Sequence, residues 1–380
     1  MNIDDGSLVK FLIGANCTKY DVLNDLFQDI DLSRYRNVTL LVDGHTVVSR
    51  LYHNRKIASV YAGSSAEMVR DLVVGFTNVL AHYRRYMASR MHLDNTIFVM
   101  FNRAEPTYNR RFCHTFNRER IERYDPNDPI NGFTSQILDV AWGFVMGLSP
   151  FFERIYCLDN SGMDDFALMD RMDFDDDTLV FVLSTNVYAT QLLRKNWIQI
   201  HPKRDKTYLI TRKTCYKNGI LKDVKYHASE KLTPEMLPLI WSIVGCDSMD
   251  VPGLNVCSLK SLIHGMEKMA DDGILTEKTT ISGFLENLPS YVSLHVPQFK
   301  SSKSDIEDRY RALSTRLSSL AITNDQLTKI AAQVYDIYNQ NELEQLNEIL
   351  VQGRLDPEIL QLENLNMSAG EGRDDFDGWE

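Results

Sequence analysis

The apolar positions of the first half of the chain fall into short unbroken runs separated by longer, periodic ones. "NVTLLVDG" (37–44), "NTIFVMFN" (95–102), "RIYCLD" (154–159) and "DTLVFVLST" (177–185) are rich in β-branched and large aliphatic residues and close on Gly, Asn, Asp or Ser/Thr. Such runs fit strands buried on both faces. Between them, "AEMVRDLVVGFTNVLAHYRRYMASR" (66–90) places Met68, Leu72, Phe76, Val79, Leu80 and Tyr83 at three- and four-residue spacing, which predicts a helix with one face packed inward. "TSQILDVAWGFVMGLS" (134–149) predicts a second helix and "DDFALMDRM" (164–172) the first turns of a third. Alternating strand and helix predicts an α/β protein with a parallel sheet covered on both faces.

The rhythm changes near residue 197. "WIQIHPKRDKTYLITRKTCYKNGI" sets aromatic and β-branched residues around a polar turn, which predicts a basic antiparallel pair at the sheet edge. After Thr233-Pro234 the pattern is helical to about residue 362, with "EDRYRALSTRLSSLA" and "DQLTKIAAQVYDIYNQNELEQLNEIL" amphipathic. The stretch 104–135 is polar, arginine-rich and poor in aliphatics, so it reads as an exposed helix or loop. The terminal "MSAGEGRDDFDGWE" is small and acidic and is expected to be disordered. There is no internal repeat.

A chain of 380 residues with 44% hydrophobic content can bury a large core and suffices for two or three domains. Asp4 and Asp5 stand where a secretory signal carries Lys or Arg, and no window approaches 18 unbroken apolar residues, so no membrane association is expected. Cys17, Cys113, Cys157, Cys215, Cys246 and Cys257 form no CxxC pair and read as buried thiols of a reducing cytoplasm. The net charge of -11 is unevenly spread: residues 341–380 supply -9 of it, while 194–231, including Lys203 and Arg204, carry +8. A basic strip on a near-neutral body fits either a nucleic-acid contact or a solvated hairpin.

Ligands of open α/β sheets gather beyond the carboxyl ends of the strands. Asp43 ends one strand, Asp164 and Asp165 open a helix after another, and "GCDSMDVPG" offers Asp247 and Asp250 ahead of a further helix. Carboxylates converging there repel unless divalent cations bridge them, the arrangement of two-metal phosphodiester hydrolysis. Taken singly, Asp164 also fits an N-cap, Asp165 a first-turn charge, and Asp247 and Asp250 turn residues.

In order, "LLVDGHTVVSRLYH", "FVMFNRAEPTYNRRF", "SGMDDFALMDRM", "VFVLSTNVYATQLL" and "VGCDSMDVPGL" resemble the flap endonuclease and 5'-nuclease superfamily over residues 38–270, most closely its bacterial polymerase-associated and phage branches. The resemblance implies a PIN-like α/β fold over 1–232 with an arch at about 104–135. It further implies a helix-three-turn-helix element opening a helical region over 233–362, and an acidic tail over 363–380. Asp43, Asp164, Asp165, Asp247 and Asp250 match family metal ligands. Asn102, Gly162, Val187 and Ala189 stand where the family has acids, so five of nine acidic positions remain, and the loop after Asp250 is one residue short. A divalent ion needs several oxygen ligands and their charge, so the expected cofactor is none or weakly bound Mg²⁺.

In "VPGLNVCSLKSLI" only Gly253 survives of the glycines that let the family's hairpin reach a phosphate; Val256 and Ser258 replace others, while Lys260 is kept. The arch remains basic: Arg103, Arg110, Arg111, Arg118, Arg120 and Arg123 are interleaved with Tyr108, Phe112, Phe116 and Tyr124. That pattern suits stacking of single strands as well as an exposed helix with ion pairs such as Glu119 with Arg123. The expected function is a pseudo-nuclease of a phage, in the host cytoplasm, binding single-stranded or branched DNA, or RNA, or scaffolding a replication or transcription assembly. A Mg²⁺-dependent 5'-3' exonuclease with relocated ligands and a protein-binding subunit docking through its acidic tail are the alternatives.

Overall fold

The computed structural model describes residues 31–52, 72–73, 75–76, 80, 93–101, 106–118, 142–143, 145–146, 155–159, 162–203, 206–212, 215 and 231–330. Six strands form one sheet: β1 (Asn37–Asp43), β2 (Asp94–Phe101), β3 (Ile155–Asp159), β4 (Thr178–Leu183), β5 (Trp197–Lys203) and β6 (Lys206–Ile210), in the order β3-β2-β1-β4-β5-β6. The first five are parallel and β6 returns antiparallel at the edge. This is the sheet and the edge pair that the apolar runs predict.

The strands look uniformly apolar because each face has its own core. Val38, Leu40 and Val42 of β1 and Leu179, Phe181 and Leu183 of β4 pack with Leu72, Phe76, Leu80, Trp142 and Val145. Leu41, Val180 and Val182 point the other way, toward Phe166, Met169, Trp241, Met266 and Leu313. The period of two is thus kept, with both phases buried. Each large aliphatic side chain so enclosed contributes about 1.5–3 kcal/mol. On the first face, Phe101 stacks on Trp142 at 4.5 Å and Phe76 meets the same indole edge-on at 6.0 Å.

The helices used below are α1 (Gly44–Tyr52), α2 (Thr107–Phe112), α3 (Asp165–Arg171), α4 (Leu237–Val244), α5 (Leu259–Asp271), α6 (Ile281–Tyr291), α7 (Val296–Ser301), α8 (Lys303–Leu313) and α9 (Thr315–Leu320). The run read as one amphipathic helix, "EDRYRALSTRLSSLA", is broken in two. Ser314 leaves the helical conformation and its hydroxyl caps the Leu317 amide of α9, because a serine side chain competes with the helical backbone and favours a cap. The helices after residue 233 share one continuous core with the second face of the sheet. No helix among the described residues is long and apolar enough to cross a membrane.

A larger departure concerns the arginine-rich stretch. Where composition predicts an exposed segment, Asn109, Phe116 and Asn117 are buried, Phe116 completely. Its isolated apolar and amide groups are anchors, too few to register as a core pattern. Asn102, Arg103, Arg120, Arg123, Arg204, Cys17 and everything beyond residue 330 lie outside the described residues.

Candidate functional site

At the carboxyl end of β1, Asp43 is buried and serves as the cap of α1. Its Oδ1 accepts from the Thr46 amide at 3.3 Å, and its Oδ2 accepts from the hydroxyls of Thr46 and Ser184, both at 2.8 Å. Ser184 follows β4 directly. The Thr46 hydroxyl also accepts from the Thr185 amide at 3.1 Å. Beyond it, Gln199 of β5 donates to the carbonyls of Ser184 and Asn186 at 3.1 and 3.0 Å and accepts from Thr190 at 2.8 Å. The strand ends are therefore joined by a buried network in which one carboxylate is surrounded by hydroxyls and amides. Charge-assisted donors of this kind strengthen one another in a buried network.

The two aspartates of the third motif are also buried. Asp164 caps α3 through the Ala167 amide at 3.2 Å, and Asp165 is its first residue, where the helix dipole favours a negative charge. Gly162 adopts φ +82°, a region that a side chain at this position would enter only with strain. Both the amide and the hydroxyl of Thr107 donate to its carbonyl, at 3.2 and 3.3 Å. Ala189 lies in the core and Val187 is half-buried against it.

Between them, Tyr188 is enclosed by Phe116, Phe166 and Trp241 at ring distances of 5.8, 5.5 and 6.1 Å. Burial raises its hydroxyl well above the usual tyrosine range, with the Asp164 charge adding to the shift. Phe116 comes from the arginine-rich segment that the resemblance reads as an arch, so this segment enters the body against Tyr188, between Val187 and Ala189.

Asp247 is exposed and Asp250 closes a short 3-10 turn (Asp247–Met249) in the left-handed conformation at φ 56°. The arch reaches this turn too: the Asn117 amide donates to the Met249 carbonyl at 2.7 Å. In the loop that follows, Val256 is buried while Pro252, Gly253, Asn255 and Ser258 are exposed. Gly253 lies so close to the Val244 carbonyl that a Cβ there has no room, Val256 is buried with its carbonyl accepting from His295, and Ser258 caps α5. Lys260 sits in the first turn of α5 on the exposed side. Burial raises the thiols of Cys246 to about 12 and Cys257 to about 11, which leaves them poor nucleophiles.

Of the basic candidates, Arg110 is half-buried and donates to the His114 carbonyl at 2.8 Å. Arg111 and Arg118 are exposed, and Lys203 is the last residue of β5. The base of the arch is pinned from the far end of the chain. The Asn109 amide donates to the Ala312 carbonyl at 2.8 Å and its oxygen accepts from Ser318 at 2.9 Å. Nearby, the buried Asp170 holds Arg194 at 2.8 Å and accepts from Ser319 at 2.7 Å. Tyr108, Arg111, Gly162, Asp164, Ser318 and Gln326 line a cleft of about 320 Å³ at this junction.

The residues present do not fit a pair of divalent ions. No group of three His, Cys, Asp or Glu side chains that could hold a metal ion occurs among the described residues. The oxygens of Asp43 are engaged by Thr46 and Ser184, and Gly162, Val187 and Ala189 offer no side-chain donor. Ser184, Thr46 and Gln199 are the site residues that sequence reasoning passed over. Their one signal was polar residues directly after an apolar strand, as in "LST".

This parallel sheet with its antiparallel edge, wrapped by helices, is the PIN-like 5'-nuclease fold. Solved structures of bacteriophage T5 share it. A crystal structure of T5 D15 protein co-crystallised with metal ions matches with 13% identity over 80% of this chain and 100% of that one, at a TM-score of 0.53. T5 5'-exonuclease with bound zinc matches with 13% identity over the same shares, at 0.54. A pseudo-enzyme-product complex of the bacteriophage T5 D15 flap endonuclease with DNA and metal ions matches with 14% identity over the same shares, at 0.52. Identity this low shows the fold alone. No protein-family profile matches the chain, and no curated protein matches it.

Proposed function

We propose that the protein is a 5'-nuclease-like pseudo-enzyme that binds single-stranded or branched nucleic acid without cutting it, in the cytoplasm of a phage-infected bacterium. The observation that carries this reading is the Asp43 network. The strand-end carboxylate, which a working site turns toward metal, is committed here to Thr46 and Ser184. The left-handed backbone of Gly162 and the packing of Ala189 support it, since restoring acids at either place meets strain or burial. Division of labour follows the chain: the region 1–232 supplies the sheet and arch, and the helical region 233–362 braces the arch base. The segment read as a helix-three-turn-helix element retains Lys260 in the first turn of α5, whereas Val256 and Ser258 replace glycines of its hairpin.

Nucleic acid is the favoured partner because Arg111 and Arg118 are exposed and Arg111 lies over the Phe112 ring, and one structure sharing the fold holds DNA. The solved relatives also hold metal ions; in this chain, binding of Mg²⁺ is expected to be weak or absent.

The test is calorimetric titration of Mg²⁺ and Mn²⁺, beside cleavage of a labelled 5'-flap substrate and a low-salt gel shift with the same substrate. The expected outcome is a salt-sensitive shift, weakened by Arg110→Glu with Arg111→Glu, without cleavage. Metal binding together with cleavage that Asp164→Ala abolishes would establish an enzyme with relocated ligands instead. Absence of a shift would remove the nucleic-acid reading.

A further inference from the structure

Beside the cleft, two cations share a single aromatic ring. The guanidinium carbons of Arg111 and Arg311 lie 5.9 and 5.7 Å from the centroid of Phe112, and Tyr108 meets that ring edge-on at 5.3 Å. Arg311 is paired with Asp308 at 2.7 Å and Glu307 at 3.5 Å. Arg111 is exposed and forms no ion pair with any described residue. The half-buried Tyr108 hydroxyl sits in the field of both guanidiniums. An open arginine framed by Tyr108 and Phe112 is suited to a ligand that alternates carboxylates or phosphates with flat rings.

The opposite wall of the cleft includes Ile322 and Gln326. Four residues beyond Gln326 the described chain ends at the buried Ile330, and 50 residues follow it in the sequence. Within them, residues 366–380 hold Glu371, Asp374, Asp375, Asp377 and Glu380 against Arg373 alone, with Phe376 and Trp379 interleaved. These are the groups that the Arg111 face lacks.

We propose that the acidic segment 366–380 docks on the face formed by Tyr108, Arg111 and Phe112 and there competes with nucleic acid for the same cation. Carboxylates of Asp374, Asp375 and Asp377 pair with Arg111 while Phe376 or Trp379 covers the Tyr108 and Phe112 rings. The segment acts as an intramolecular stand-in for a single strand. Because the segment is tethered to the same chain, its docking is expected to lower nucleic-acid affinity about tenfold. Only the competition rests on the nucleic-acid reading above; the docking does not.

The experiment compares the full chain with the full chain carrying Asp374→Asn, Asp375→Asn and Asp377→Asn, by anisotropy of a labelled single-stranded oligonucleotide at low and high salt. The neutralised variant is expected to bind about tenfold tighter at low salt, with the gap closing at high salt. A labelled peptide of residues 366–380 is then titrated into the neutralised chain, and Arg111→Glu is expected to weaken it at least fivefold. If neither chain binds the oligonucleotide yet the peptide binds through Arg111, docking stands and the nucleic-acid function falls. A peptide that does not bind, binding indifferent to Arg111→Glu, or equal oligonucleotide affinity of the two chains overturns the proposal. Capture of a second protein by the segment while the peptide ignores this chain assigns the segment to that protein and also overturns it.

Discussion

The strand ends and the arch base lie close together and treat charge in opposite ways. At the strand ends one carboxylate is buried and its oxygens face Thr46 and Ser184. At the arch base Arg111 is left exposed beside the cleft, on a helix that Asn109 fastens to α8 and α9. The first region has turned its polar groups inward, as a structural joint does. The second keeps one outward, as a binding surface must. Packing and surface charge depend on different residues, so one scaffold holds a buried joint and an exposed cation side by side.

The sharpest way to break this contrast is at Phe116, which joins the two regions. Phe116→Ala empties a fully buried site against Tyr188 and is expected to cost about 3–5 kcal/mol, read as a lowered urea midpoint. A loss under about 1 kcal/mol would mean that the arch is not anchored there. Next, Asp43→Ala should cost about 2–3 kcal/mol through the lost cap and the orphaned Ser184 and Thr46 hydroxyls, and Asp43→Asn should cost less. If Mg²⁺ instead raises the melting temperature of the wild type and not of Asp43→Asn, the joint is a metal site after all.

The arch-base side predicts an effect on binding rather than stability. Arg111→Glu should leave the melting temperature within about 2 °C of wild type, since surface changes rarely exceed 0.5 kcal/mol. It should also flatten the salt dependence of oligonucleotide affinity by about one contact. An unchanged salt slope would remove Arg111 from the interface.

The smallest effect is at Cys246, beside both regions, where burial raises the folded pKa to about 12. A thiol raised in the folded state stabilises fully below its unfolded pKa of about 8.5 and loses that contribution as pH climbs toward 12. Relative to Cys246→Ala, the wild type should lose about 1.2 kcal/mol between pH 9 and 10, measured by urea unfolding at each pH. Parallel curves for the two proteins would mean that the thiol is solvated.

Much of this was legible along the chain. The four apolar runs announced β1 to β4, and the aromatic run after residue 197 announced the β5–β6 pair, because unbroken hydrophobicity of strand length has few other solutions. Asp164 was readable as a cap from its place before "DFALM". By contrast, Phe116 and Asn109 sit in a segment whose average composition is that of an exposed loop. A single anchor does not alter an average, and its burial depends on α8, α9 and Tyr188, remote in sequence.

The sequence by itself determined the α/β alternation, the edge hairpin, the absence of acids at Gly162, Val187 and Ala189, and the separation of charge between residues 194–231 and 341–380. Those follow from local pattern and composition. Only the tertiary structure decided what Asp43 does and where the arch goes. Of the partners of Asp43, Thr46 stands three residues on, whereas Ser184 comes from 141 residues away, and the left-handed turn at Gly162 is held by Thr107, 55 residues earlier. Hydrogen-bond partners so distant are set by how the sheet closes, and no spacing along the chain encodes them.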